Sequence, residues 1–141
     1  MKEEGTTPAM KSVTFDSHAI LKFAQDEAGA ERVEELLRAA EEGHVRAYVN
    51  EINLGEVYYI TVRRMGVEPA RRFLEQFCTL AVDRVAASWQ IIESAAELKA
   101  RHALSYADCF AAATELKYEA SVVTGDPEFK KVAHLVQIEW I

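Results

Sequence analysis

The feature that most constrains the fold is the alternation of short apolar segments with longer segments of helical periodicity. Short apolar runs typical of strands alternate with segments whose apolar residues recur every three or four positions. This alternation favours an α/β fold with a central, mainly parallel β-sheet flanked by α-helices in three layers. The predicted strands are Ser12–Phe15, His44–Val49, Leu80–Val85, Ala120–Thr124 and Val136–Trp140.

Length and composition limit the number of domains and the class of protein. The chain has 141 residues, which predicts a single domain over residues 11–141 preceded by a loose N-terminal leader, residues 1–10. Its two cysteines, Cys78 and Cys109, are too few for a disulfide scaffold, and each is expected to be a small core residue. This cysteine usage favours a reducing, cytoplasmic location. No apolar run reaches 18 residues, so we expect no membrane span.

The net charge, the spacing of the glycines and the residues after the first strand argue against several classes of function. A net charge of −7 argues against sequence-independent binding of nucleic-acid phosphates over a broad basic surface. The glycines are isolated, so no nucleotide-binding loop is present. Receiver and dehalogenase phosphotransfer domains need a second aspartate close behind the first strand, whereas Asp16 is followed by Ser17 and His18.

Two aspartates lie where predicted strands end. Asp16 follows the strand Ser12–Phe15, and Asp126 follows the strand Ala120–Thr124. The carboxyl ends of parallel strands share one edge of the sheet, and binding sites of α/β proteins form outside that edge. The spacing therefore predicts that both carboxylates face one site.

Two further acids lie on apolar faces of predicted helices. An unpaired buried carboxylate costs several kcal/mol unless a cation or a hydrogen bond compensates it. Glu56 and Asp108 are therefore candidate site residues. The neighbours that share their helix faces are Ile52, Tyr59 and Ile60 for Glu56, and Leu104, Ala111 and Ala112 for Asp108.

Structural roles are open for each acid taken singly. Asp16 and Asp126 are suited to cap the helices that follow them. Asp108 or Glu56 could pair with Arg63 or Arg101. Four acids together favour a divalent cation instead, because like charges repel and carboxylate oxygens suit Mg²⁺ or Mn²⁺.

Four segments of the chain resemble the acidic motifs of PIN-domain ribonucleases, in the order and spacing of the small VapC-type toxins of toxin–antitoxin pairs. The resemblance extends from about residue 11 to the end of the chain. The segments are Val13–Leu21, Asn53–Val57, Tyr106–Ala113 and Val122–Phe129.

The resemblance implies a PIN-like three-layer fold and a metal-dependent endoribonuclease, with a homodimer, an antitoxin and an RNA substrate as partners. It implies that Thr124 orients a carboxylate or a water, and that Ser17 is the small polar residue that follows the first acid. His18 is not expected from the family motif. The implied Mg²⁺ or Mn²⁺ ligands are Asp16, Glu56, Asp108 and Asp126.

Contacts with RNA are predicted for Ser17 and for the basic pair Lys130-Lys131, which follows Asp126 by about one helical turn. The pairs Arg63-Arg64 and Arg71-Arg72 are further candidates, although basic residues also favour helix ends.

Most large aromatic residues are expected in the core, with part of the set left for a dimer or antitoxin surface. These are Tyr58, Tyr59, Phe73, Phe77 and Trp89. A catalytically silent PIN-like module for RNA or protein binding is the alternative function.

Overall fold

A computed structural model of the chain describes residues 10–141. Nearly all of the expected leader, residues 1–9, lies outside the described residues, and the predicted domain bounds stay a prediction. The strands are β1 (Lys11–Phe15), β2 (Val45–Asn50), β3 (Val82–Val85), β4 (Ser121–Thr124) and β5 (Ile138–Trp140). The helices are α1 (Ser17–Ala24), α2 (Ala30–Glu41), α3 (Glu51–Met65), α4 (Val67–Phe77), α5 (Trp89–Arg101) and α6 (Tyr106–Tyr118), with a 3₁₀ helix over Pro127–Val132.

Local capping explains where most helices begin. The side chains of Asp16, Asn50, Ser88 and Ser105 each accept a hydrogen bond from a backbone N–H in the first turn of the helix that follows. Gly66 ends α3 with a φ of 96°, a conformation that favours glycine. The five predicted strands are confirmed, and their ends differ from the predicted ones by at most two residues.

All five strands are parallel, in the order β3-β2-β1-β4-β5. The chain builds outward from β1 to β3 on one side and then crosses to β4 on the other. The gap between β1 and β4 is therefore the point where the strand order reverses, and this is where α/β sheets bind ligands.

Helices cover both faces of the sheet, which confirms the three-layer fold. One apolar core joins α1, α2, α3 and α4 to Val13, Phe15 and Val123. The second joins α5, α6 and the 3₁₀ helix to Val122. Alanines make up much of α6, and their small side chains let it lie close to β1, β2 and β4.

Some expected core residues are exposed. Cys109 is buried as predicted, but the prediction for Cys78 is wrong, because it lies at the solvent-exposed end of α4. Of the aromatic set, Phe77 is buried, Tyr58 and Phe73 are half-buried, and Tyr59 and Trp89 are 46% and 70% exposed, so these last two are the part of the set left for a surface. None of the helices in residues 10–141 is long and apolar enough to cross a membrane.

Candidate metal centre

The site is built around Asp16, which directly follows the central strand β1. Its side chain is fully buried, and two hydrogen bonds fix it. The Ala19 N–H donates to Oδ1 at 2.8 Å, and the Thr124 hydroxyl donates to Oδ2. Burial raises the pKa of Asp16 to about 7, against the lowering effects of these two hydrogen bonds.

Thr124 connects the two strand ends of the site. It is the last residue of β4 and fully buried, and its hydroxyl accepts a hydrogen bond from the Asp126 N–H at 2.9 Å while it donates to Asp16. Asp126 caps the 3₁₀ helix by accepting from the Glu128 N–H at 2.9 Å. One hydroxyl thus sets the position of both aspartates.

Asp108 reaches the same place from α6. It is 5% exposed, and its neighbours Leu104, Ala111 and Ala112 are buried, as the helix periodicity predicts. Burial raises the pKa of Asp108 to about 7, and the negative charge of Asp126 adds to the rise. The structure therefore brings Asp16, Asp108 and Asp126 together between the ends of β1 and β4.

Glu56 lies beside this cluster, but the reason for selecting it is wrong. The buried face of α3 carries Asn53, Leu54, Val57 and Thr61. Of the residues that share the face of Glu56, Ile52 and Tyr59 are exposed and Ile60 is half-buried. Glu56 is half-buried, accepts a hydrogen bond from the Tyr59 hydroxyl at 3.4 Å, and contributes least to the raised pKa of Asp108. It therefore lies at the rim of the cluster.

No ion pair within residues 10–141 joins Asp108 or Glu56 to Arg63 or Arg101. The Arg63 guanidinium instead lies 5.0 Å from the centre of the Tyr59 ring. The alternative that basic side chains neutralise these two acids inside the fold is therefore wrong.

The clustered groups fit a hard divalent cation. Ligand atoms of Asp16, His18 and Asp108 lie within 4.8 Å of one another. Carboxylate oxygens and a histidine nitrogen are metal-binding groups, and because burial raises the pKa of Asp16 and of Asp108, a bound cation would favour their charged forms. A cavity of about 180 Å³ lies beside the cluster, lined in part by Ser17, His18 and Glu56.

Two residues near the site were missed by sequence reasoning. Asn53 is fully buried on α3, one turn before Glu56, and its Nδ2 donates to Ser17 Oγ at 3.4 Å and to the Ala107 carbonyl at 3.0 Å. It thus joins the residue after Asp16 to the residue before Asp108. The sequence signal that could have identified Asn53 is its position three residues before Glu56, on the same side of the predicted helix. The second is Lys22, which also lines the cavity.

The predicted RNA-contact residues occupy different environments. Ser17 is 2% exposed and donates to the Asn53 carbonyl at 3.3 Å, although it lines the cavity. The exposed Lys131 ammonium donates to the Ala103 carbonyl at 2.9 Å and pairs with Glu128. Lys130 is exposed. RNA contact by these three residues stays a prediction.

Fold and site together define a parallel-sheet domain with carboxylates gathered where the strand order reverses. Residues 13–135 match the PIN domain family, and the chain belongs to that family. No curated protein matches the sequence.

Solved structures share the fold over nearly the whole chain. A Mycobacterium tuberculosis toxin, VapC20, described as cleaving the sarcin–ricin loop, has a TM-score of 0.73 and 18% identity over 92% of this chain and 100% of its own. DNA-bound VapBC from Salmonella typhimurium gives the same TM-score and identity, over 92% of this chain and 98% of that chain. VapBC-1 from Haemophilus influenzae has a TM-score of 0.68 and 20% identity, over 91% and 96%.

Proposed function

We propose that this protein is an endoribonuclease that depends on Mg²⁺ or Mn²⁺, and that it is the toxin of a type II toxin–antitoxin pair acting in the cytoplasm. The observation that carries the proposal is the convergence of Asp16, Asp108 and Asp126 at the reversal point of the sheet. Membership of the PIN family and the shared fold of VapC toxins support it.

The residues of the site have distinct roles in this proposal. Asp16, Asp108 and Asp126 would hold the cation, with Glu56 at the rim, and Thr124 would keep Asp16 and Asp126 in register through its two hydrogen bonds. When bound, the cation activates water for attack on phosphorus and offsets the charge that develops there. No side chain needs to form a covalent bond with the RNA.

The substrate would enter over the exposed rim of the cavity. Lys22 and Arg64 line this cavity together with His18, and Lys130 and Lys131 follow Asp126 on the 3₁₀ helix. These cations offset part of the repulsion between RNA phosphates and the acidic cluster. Replacing Lys130 and Lys131 by alanine is expected to raise KM more than it lowers kcat.

Protein partners are part of the same proposal. The exposed apolar side chains of Ile52 and Tyr59 on α3 and of Trp89 on α5 are candidates for contact with a second copy or with an antitoxin. A basic side chain from an antitoxin would fit the acidic cluster. Light scattering tests for the homodimer, and co-purification with a small protein encoded next to the gene tests for the antitoxin.

Cleavage of total cellular RNA by the purified full-length chain tests the activity. Cuts that need Mn²⁺ or Mg²⁺, stop in EDTA and leave 5′-phosphate and 3′-hydroxyl ends are expected. Asp16→Asn should abolish them. Asp83→Asn, the same substitution at an exposed position of β3, should leave them unchanged.

A fully active Asp16→Asn variant would contradict the proposed site. RNA binding without cleavage under every metal condition would favour the alternative, a silent PIN-like module. For that result the protein must first be shown to be free of bound antitoxin, because an antitoxin in the acidic site would block cleavage.

A further inference from the structure

His18 places a nitrogen atom among the carboxylates of the site. It is the second residue of α1, its side chain is half exposed, and its ring faces the carboxylates of Asp16 and Asp126. Its Nδ1 lies 3.6 Å from Asp126 Oδ2 and 3.9 Å from Asp16 Oδ2. Both separations are longer than a hydrogen bond, so the ring faces the two oxygens without bonding to either.

These separations suit ligands of one ion. With metal–ligand distances of about 2.1 Å, two ligand atoms lie about 3.0 Å apart at right angles and about 4.2 Å apart on opposite sides of the ion. The distances from His18 Nδ1 to Asp126 Oδ2 and Asp16 Oδ2, 3.6 Å and 3.9 Å, lie between these two values. Asp16 is held by Thr124 and Ala19, whereas the half-exposed imidazole is free to adjust to an ion.

We propose that His18 Nδ1 is a nitrogen ligand of the metal centre and biases that centre towards first-row transition ions and against Mg²⁺. The inference rests on the proposed metal-dependent function and adds the selectivity of the site. Mg²⁺ prefers oxygen ligands, whereas imidazole suits transition ions. A purely carboxylate site would not discriminate in this way.

Binding of Mn²⁺ to the full-length protein, followed by electron paramagnetic resonance, tests the inference without an activity assay. Pulsed measurements should detect coupling of bound Mn²⁺ to ¹⁴N in the wild type. His18→Gln offers an amide oxygen in place of the nitrogen, so the coupling should vanish. We expect the ratio of the Mg²⁺ to the Mn²⁺ dissociation constant to fall in this variant, because the ligand that disfavours Mg²⁺ is gone.

His44→Gln is the matched control. His44 Nδ1 also lies 3.6 Å from a carboxylate, that of Glu42, but it precedes β2 at the opposite edge of the sheet. This variant should keep both the coupling and the metal preference. Circular dichroism confirms that each variant is folded.

The outcomes separate the two proposals. Tight Mn²⁺ binding without nitrogen coupling, or an unchanged metal preference in His18→Gln, would overturn the role of His18 and leave the metal centre in place. Absence of Mn²⁺ binding by the wild type, with Asp16→Asn behaving identically, would overturn the metal-dependent function as well.

Discussion

Replacing Asp108 by asparagine should stabilise the metal-free protein, although it removes a proposed metal ligand. The Asp108 carboxyl is buried and lies against Asp126, and both features raise its pKa, from 3.8 to about 7. Asparagine has the same shape. Its amide oxygen can accept from Ser105 as the carboxylate does, and its NH₂ group can donate to Asp126.

The magnitude follows from the pKa. A difference of about three pKa units, at about 1.36 kcal/mol per unit, corresponds to about 4 kcal/mol of stability lost when Asp108 ionises in the folded state. Water in the adjoining cavity screens part of this charge, so we expect about half, or about 2 kcal/mol. For a chain of this length that is a rise in Tm of about 6 °C.

The sign of the pH dependence is also determined. Because the folded pKa is higher than the unfolded value, the folded state binds the proton more tightly. The stability contributed by protonated Asp108 is therefore fully present below about pH 4 and is lost as the pH rises towards its folded pKa of about 7. The advantage of Asp108→Asn should be greatest at pH 8.5 and fall to about half or less at pH 4.5, close to the unfolded pKa of 3.8.

Thermal unfolding in EDTA at these two pH values measures the effect. The control is Asp83→Asn, an exposed substitution expected to change stability by less than about 0.5 kcal/mol. Added Mn²⁺ should reverse the order by stabilising the wild type more than Asp108→Asn. An Asp108→Asn protein that is less stable than the wild type at pH 8.5, or a pH-independent difference, would refute the reasoning.

Three further substitutions test the framework of the site. Thr124→Val removes the hydroxyl that binds Asp16 and should cost about 2–3 kcal/mol in urea unfolding, whereas Thr124→Ser should keep most of the stability. Gly125→Ala places a Cβ 2.7 Å from Lys22 Cε, which can move aside, and 3.2 Å from the backbone carbonyl oxygen of Ile141, and it should lower stability by about 1 kcal/mol in thermal unfolding. Asn53→Ala removes the two hydrogen bonds that this buried side chain donates and should cost about 2 kcal/mol by the same measurement. Unchanged stability in any of these variants would contradict the corresponding contact.

The order of the elements could be predicted from the sequence because local signals agree with the tertiary fold. Asn50 and Ser105 mark helix starts, and the apolar strands alternate with amphipathic helices. The convergence of Asp16 and Asp126 followed from one rule of parallel sheets, that the carboxyl ends of strands share an edge.

The orientation of α3 could not be predicted in the same way. This helix carries apolar residues on two faces, and only packing against the sheet determines which face is buried. Leu54 and Val57 enter the core, while Ile52 and Tyr59 remain exposed with Glu56 between core and solvent. The role of Asn53 was hidden for the same reason, because its bonds to Ser17 and Ala107 join segments distant in sequence.

The side chains of Asp16 and Asp126 can cap a helix with one oxygen and face the proposed metal centre with the other. In each residue Oδ1 accepts a backbone N–H of the following helix, from Ala19 for Asp16 and from Glu128 for Asp126. That bond turns Oδ2 towards His18, at 3.9 Å and 3.6 Å respectively. A cap therefore fixes the rotamer that a metal ligand needs, and it does so before any ion binds. A glutamate at either position, longer by one methylene, would have to lose the cap or the orientation, which explains why aspartate suits the ends of these two strands.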